Sequence, residues 1–129
     1  VWVLAGLVFG ACAEAAPTDT DYLEGRSVYG TCAACHGRSG EGGAGPSLES
    51  VKDTFPDCED HVQWVSLGSQ RWKDTVGPTY GSQAKPINGA MPEFGKSLTP
   101  DQLRQIALYE RVRFGGADLE SEKASCGLS

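Results

Sequence analysis

Cys32-Ala33-Ala34-Cys35-His36 constrains this chain more than any other stretch. Two thiols three residues apart, followed at once by an imidazole, form a C-x-x-C-H sequence, the pattern of covalent c-type haem attachment. At the end of a helix, residues three apart share a face, so both sulfurs can reach the vinyl groups of one porphyrin. His36 then comes under the iron as the proximal ligand. With five cysteines and two histidines in 129 residues, composition alone would generate the pattern in about three chains per thousand. A thioredoxin-like redox pair would need a preceding strand in a βαβ context, and none is visible. A four-ligand zinc site would need a second cysteine or histidine pair, and none is present.

The length suits one compact domain and is too short for two. Hydrophobic residues make up 40% and charged residues 22%, which argues against a mainly disordered chain. Seventeen glycines and seven prolines point to long loops around a few helices. A net charge of -6 argues against nucleic acid as a partner, because phosphate binding needs a basic surface.

Residues 1–13 form an uncharged, mostly apolar run, short for a membrane span and normal for the core of a secretory signal. The chain opens on Val1 rather than methionine, so we expect further residues before it. Ala13-Glu14-Ala15 fits the small-x-small cleavage pattern, whereas Phe9-Gly10-Ala11-Cys12 resembles a lipoprotein signal with Cys12 as the lipid anchor. A transmembrane anchor is the third reading. All three make residues 1–15 an export or anchor region and residues 16–129 an extracytoplasmic domain, periplasmic in a bacterium.

Within that domain, Asp21 and Glu24 have the spacing of a capping pair. The helix that follows carries Leu23, Val28 and Tyr29 on its apolar side and runs into Cys32. The glycine-rich stretch from Arg38 to Ser47 must be loop. A second helix is expected from Asp57 to Leu67, stopped by Gly68. Ser69 to Gly89 reads as a long ordered loop, of a length that is uncommon unless it covers something. The last helix has the clearest signals: Thr99 as cap, Pro100 in the first turn, Gln102 completing the capping box, and an apolar stripe of Leu103, Ile106, Ala107 and Tyr109. Gly115-Gly116 ends it. We expect an all-α fold of three to four helices and long loops, with too small an aliphatic core to hold those loops unaided.

Met91 is the one methionine, set between Ala90 and Pro92 rather than in an apolar stripe, so it reads as the sixth iron ligand instead of a core filler. His61 is the rival; its position beside Asp57, Glu59 and Asp60 suggests a surface histidine at an acidic helix start.

Together these features resemble class I, mitochondrial-type cytochrome c in its bacterial form. The resemblance runs from about Tyr22 to Phe114, through CAACH, Gly45-Pro46 with Leu48, the GAMP-F loop and LTPDQL-QIA-Y. It implies that the first and last helices cross with Gly25 against Tyr109, and that the Pro46 carbonyl accepts the Nδ1 proton of His36, as ligand histidines are oriented through their other nitrogen. It also brings Trp72 and Tyr80 towards the haem edge or propionates. Cys58 and Cys126 fall outside the motif and could pair in an oxidising compartment, tying the second helix to the tail.

The function expected is a monohaem electron carrier, not an enzyme, cycling haem iron between Fe(II) and Fe(III) while exchanging electrons with oxidases, reductases or dehydrogenases. Lys85 and Lys96 flank the Met91 loop as a candidate docking patch. Two alternatives stay open: a haem-bearing subunit of a membrane oxidase or dehydrogenase, and a ligand-binding or peroxidatic haem protein in which Met91 dissociates.

Overall fold

The computed structural model describes residues 15–129. Apart from Ala15, the expected export or anchor region, Cys12 included, lies outside the described residues. The elements are α1 (Thr20–His36), α2 (Val51–Thr54), α3 (Cys58–Thr75), β1 (Thr79–Tyr80), β2 (Lys85–Pro86), a 3₁₀ turn (Phe94–Lys96), α4 (Pro100–Arg113) and α5 (Leu119–Ser125). The expected all-α class is observed: three long helices, two short ones and long connections, with one two-residue antiparallel hairpin.

Helix α1 buries Tyr22, Gly25, Tyr29 and Cys32, which recur at steps of three and four and therefore share one face. Its cap is Asp19 rather than Asp21: the Asp19 carboxylate accepts the Tyr22 N–H at 3.1 Å. Asp21 already lies in the first turn, where the Gln105 amide donates to it at 2.9 Å. Helix α4 starts as expected, with the reciprocal Thr99–Gln102 capping box and Pro100 in its first turn.

Helices α1 and α4 cross where Gly25 removes the obstacle. A Cβ at Gly25 would fall on the Gln105 carbonyl and lie 2.8 Å from Tyr109 Cβ. Around the crossing, Tyr22 and Tyr29 pack on Tyr109 with ring centroids 5.1 and 5.4 Å apart, and Phe114 closes the cluster.

Two expectations change after Ser50. Gly68 does not stop the second helix. It takes φ 67° and ψ 176°, kinks the chain, and helical geometry resumes to Thr75. A glycine read as a terminator serves as a kink because Ser69 and Trp72 continue the buried stripe of Cys58, His61, Trp64 and Val65. The stretch expected as loop is thus partly helix and partly hairpin, with Thr79 opposite Pro86 and Tyr80 opposite Lys85.

The tail after Gly116 forms α5, held through its C-terminal half. Cys126 is joined to Cys58, and Lys123 donates to Asp19 at 2.6 Å. Beside them, buried Arg111 binds Glu122 at 2.6 Å and donates to the carbonyls of Phe55 and Pro56 at 2.6 and 2.9 Å. Each nitrogen of that guanidinium has an acceptor, the condition under which a buried charge is tolerated.

Candidate functional site

The C-x-x-C-H sequence ends α1. Gly37, at φ 84°, turns the chain out of the helix, a conformation costly to any residue with a Cβ. The glycine-rich loop then folds back on the helix end. Gly42 N–H donates to the His36 carbonyl at 2.8 Å, and Gly45 N–H donates to the Cys35 carbonyl at 2.9 Å. These bonds satisfy carbonyls that a helix terminus leaves free. They also bring Gly45 flat against the imidazole, where a Cβ would lie 3.0 Å from His36 Cε1. Pro46 is placed so that its carbonyl accepts the His36 Nδ1–H at 2.8 Å. That bond favours the tautomer with the proton on Nδ1, which leaves the Nε2 lone pair free to bind a metal.

Met91 is held from α3. The Ser69 amide donates to the Met91 carbonyl at 3.0 Å, and the Met91 amide donates to Ser69 Oγ at 2.9 Å. The Gly68 kink makes this approach possible: a Cβ there would sit 2.5 Å from the Pro92 carbonyl oxygen and 2.6 Å from that of Met91. Ser69 was not singled out from sequence. Its signal, a serine inside an apolar stripe next to a glycine, becomes meaningful once the kink is known.

A cavity of about 690 Å³ opens between these two walls. That lies within the range of roughly 300–1,000 Å³ usual for small-molecule and cofactor sites. Cys32, Cys35, His36, Pro46 and Met91 all line it. So do Leu48, Val51, Phe55, Trp64, Val65, Tyr80 and Phe94, which supply an apolar wall. Both motif thiols are free, Cys32 buried and Cys35 exposed. Burial pushes the Cys32 thiol up to about 12, with the Glu110 and Cys35 charges adding. A thioredoxin-like pair follows a strand in a βαβ unit, whereas among the described residues the two strands form only a short hairpin that comes after α3. Among the described residues no group of three or more His, Cys, Asp or Glu side chains is arranged to hold a metal ion. Two unpaired thiols, a tautomer-fixed imidazole and a thioether around one apolar cavity suit a covalently attached haem.

Several other sequence candidates sit differently. His61 is 2% exposed, not at the surface. It lies on the inner face of α3, stacked on Phe55 at 5.3 Å, with Nε2 bonded to Glu110 at 2.9 Å. Its Nδ1 is sealed and has no partner. Neither nitrogen is presented as a ligand. Trp72 packs edge-on against Trp64 at 5.3 Å and donates its indole N–H to the Thr79 carbonyl at 2.9 Å; it does not line the cavity, whereas Tyr80 does. Lys85 donates to Thr54 Oγ1 at 2.9 Å, and Lys96, whose side chain is exposed, pairs with Glu93 at 2.6 Å.

No solved structure matches the chain. A relative, the cbb3-type cytochrome c oxidase subunit FixP of Sinorhizobium medicae (strain WSM419), is 34% identical over 89 residues, which cover 66% of this chain. That stretch spans 27% of the relative's length. Residues 20–109, from the first turn of α1 to Tyr109, match the family described as Cytochrome C oxidase, cbb3-type, subunit III. The chain belongs to that family of c-type cytochrome domains, whose cofactor is a covalently bound haem c.

Proposed function

We propose that the chain is a monohaem electron carrier working outside the cytoplasm, in which Cys32 and Cys35 would attach the haem and His36 and Met91 would bind its iron. The observation that carries this reading is the convergence of those four side chains on one apolar cavity. When bound, the haem supplies a one-electron Fe(III)/Fe(II) couple. The protein's own residues do the rest. Pro46 holds the proximal imidazole in one tautomer through the 2.8 Å bond. Ser69 fixes the backbone of the thioether ligand on both sides of its Cα. Phe55, Trp64 and Val65 keep water from the buried side, while Gly43, Ala44, Gly89 and Ala90 at the exposed rim leave an uncharged edge for a redox partner.

The partner we infer is a respiratory oxidase, and the chain would serve as its electron-delivering module rather than its catalytic centre. Similarity to a cbb3-type oxidase subunit supports this reading. Attachment to a membrane would come from outside the described residues, among which no helix is long and apolar enough to cross a bilayer. Co-purification of the tagged chain with an oxidase from membranes is the expected result; recovery free of any oxidase would remove the module assignment while leaving the carrier intact.

The carrier reading is tested by visible and near-infrared spectra of the haem-loaded protein beside Met91→Ala. The wild type should show a low-spin spectrum with a methionine–iron charge-transfer band and no carbon monoxide binding when reduced. The variant should lose the band, become high-spin and bind carbon monoxide. A variant with the unaltered spectrum would show that Met91 is not the ligand.

A further inference from the structure

The proximal wall has an anchor that neither attachment nor ligation uses. Tyr29, buried on α1, reaches past the end of its own helix: its hydroxyl lies 2.6 Å from the carbonyl of Gly37, eight residues on. A carbonyl can only accept, so the hydroxyl is the donor. Burial pushes the phenol well above its ordinary range, so the donating proton stays in place at ordinary pH. Gly37 is where the chain turns out of α1 at φ 84°, and its carbonyl also accepts the Gly40 N–H at 3.2 Å. The Tyr29 ring packs on Phe114 at 4.9 Å, and Gly40 lies against Phe114, where a Cβ would fall 2.6 Å from Cγ. Tyr29 thus holds the loop after the motif at two points, Gly37 through its hydroxyl and Gly40 through Phe114.

From those points the loop returns to the imidazole. The Gly40 carbonyl accepts the Leu48 N–H at 2.8 Å and the Ser47 hydroxyl at 3.2 Å, which fixes the two residues that follow Pro46. Pro46 in turn offers its carbonyl to His36 Nδ1–H. Gly40 is the joint of this path: the aromatic cluster of α1 and α4 sets it from one side, and it sets the chain beside Pro46 from the other. Tyr29 is not among the residues lining the haem cavity, so any influence on the ligand passes through the loop.

We propose that Tyr29 is a positioning residue for the proximal ligand: by clamping the Gly37 carbonyl it holds the loop so that Pro46 keeps its bond to His36, and it thereby lowers the reduction potential. The physical link is the basicity of the imidazole. A hydrogen bond from Nδ1–H to a carbonyl raises the electron donation of a ligand histidine through its other nitrogen. Stronger donation favours Fe(III), the more positive ion, over Fe(II). Loss of the hydroxyl leaves the Gly40 N–H on the Gly37 carbonyl and the ring on Phe114, so the fold persists while the loop slackens. A slack loop weakens the Pro46 bond, and the potential rises.

This inference rests on the electron-carrier reading, and its test separates the two. Haem-loaded Tyr29→Phe should keep the methionine–iron band, since Met91 is held from α3. Its midpoint potential should lie above that of the wild type, by about 59 mV for each tenfold loss of preference for ferric iron. In nuclear magnetic resonance of the reduced proteins, the His36 Nδ1 proton should exchange with solvent several-fold faster in the variant. Tyr22→Phe is the control for general loosening: it removes a hydroxyl from the same aromatic cluster, about two turns earlier on α1, and should leave both readings at wild-type values. The reduced wild type should itself show the Tyr29 hydroxyl proton as a slowly exchanging signal beside Gly37, which keeps the test decisive if a variant fails to fold. Absence of that signal overturns the proposal. So does a Tyr29→Phe protein with the wild-type potential and exchange rate, or an equal shift in Tyr22→Phe, while the carrier reading survives all three. A wild type without haem would defeat the carrier reading and this inference with it.

Discussion

At the scale of single residues, the site is positioned by polar atoms with assigned partners. His36 Nδ1 has the Pro46 carbonyl, Met91 N–H has Ser69 Oγ, and Arg111 has three acceptors. Asp19 shows what one such assignment contributes. Its carboxyl is held below the ordinary carboxylate value first by the hydrogen bond from Lys123, against a smaller opposing effect of burial, and then by the Tyr22 N–H. A folded-state value below the unfolded one means that the stabilisation is present above the unfolded value, near 3.8, and is lost as pH falls through the folded one. Asp19→Ala should therefore cost about 1 kcal/mol at neutral pH, the usual loss for an N-cap. Urea denaturation should show the difference from wild type shrinking in strong acid. An unchanging difference would mean that packing, not the charged cap, is responsible.

At the scale of elements, the kink in α3 links fold to site. One straight helix would carry Ser69 away from the Met91 loop; the left-handed Gly68 lets the helix continue while its backbone meets Pro92. Ser69→Ala removes the acceptor for the Met91 amide and keeps the backbone bond to its carbonyl. The loss of one such hydrogen bond is worth about 1 kcal/mol. In the haem-loaded variant, the methionine–iron band should disappear on heating several degrees before helical circular dichroism is lost. Coincident loss in variant and wild type would show that Ser69 does not secure the loop.

At the scale of the whole molecule, α5 fastens what the small aliphatic core cannot. The Cys58–Cys126 bond closes a separation of 68 residues and joins the start of α3 to the end of the chain. In the chain-entropy account, a loop of that size is worth about 4 kcal/mol, less any strain. The Cys58→Ser/Cys126→Ser double variant should lose an amount of that order in chemical denaturation while its haem spectrum stays unaltered. A spectral change at native conditions would mean that the bond shapes the cavity as well as stabilising the fold. The Arg111–Glu122 pair acts in the same direction, since it anchors α5 to the backbone just before α3.

What could be read in the chain alone was whatever chemistry acts over a turn or two of backbone. The C-x-x-C-H attachment pattern, the Thr99 capping box and the placement of Met91 outside any apolar stripe all belong to that class. Each depends on neighbours in sequence, so residue type and spacing suffice. What tertiary structure decided was every property that arises between distant segments. His61 reads as a surface residue until Glu110, 49 positions away, and Phe55 enclose it. Gly68 reads as a stop until Ser69 finds Met91, and the tail, for which sequence offered only the Cys58–Cys126 tie, shows its Arg111–Glu122 anchor only in the folded chain. Burial and partner choice are set by the surface that arrives from elsewhere, and no local pattern carries that surface within it.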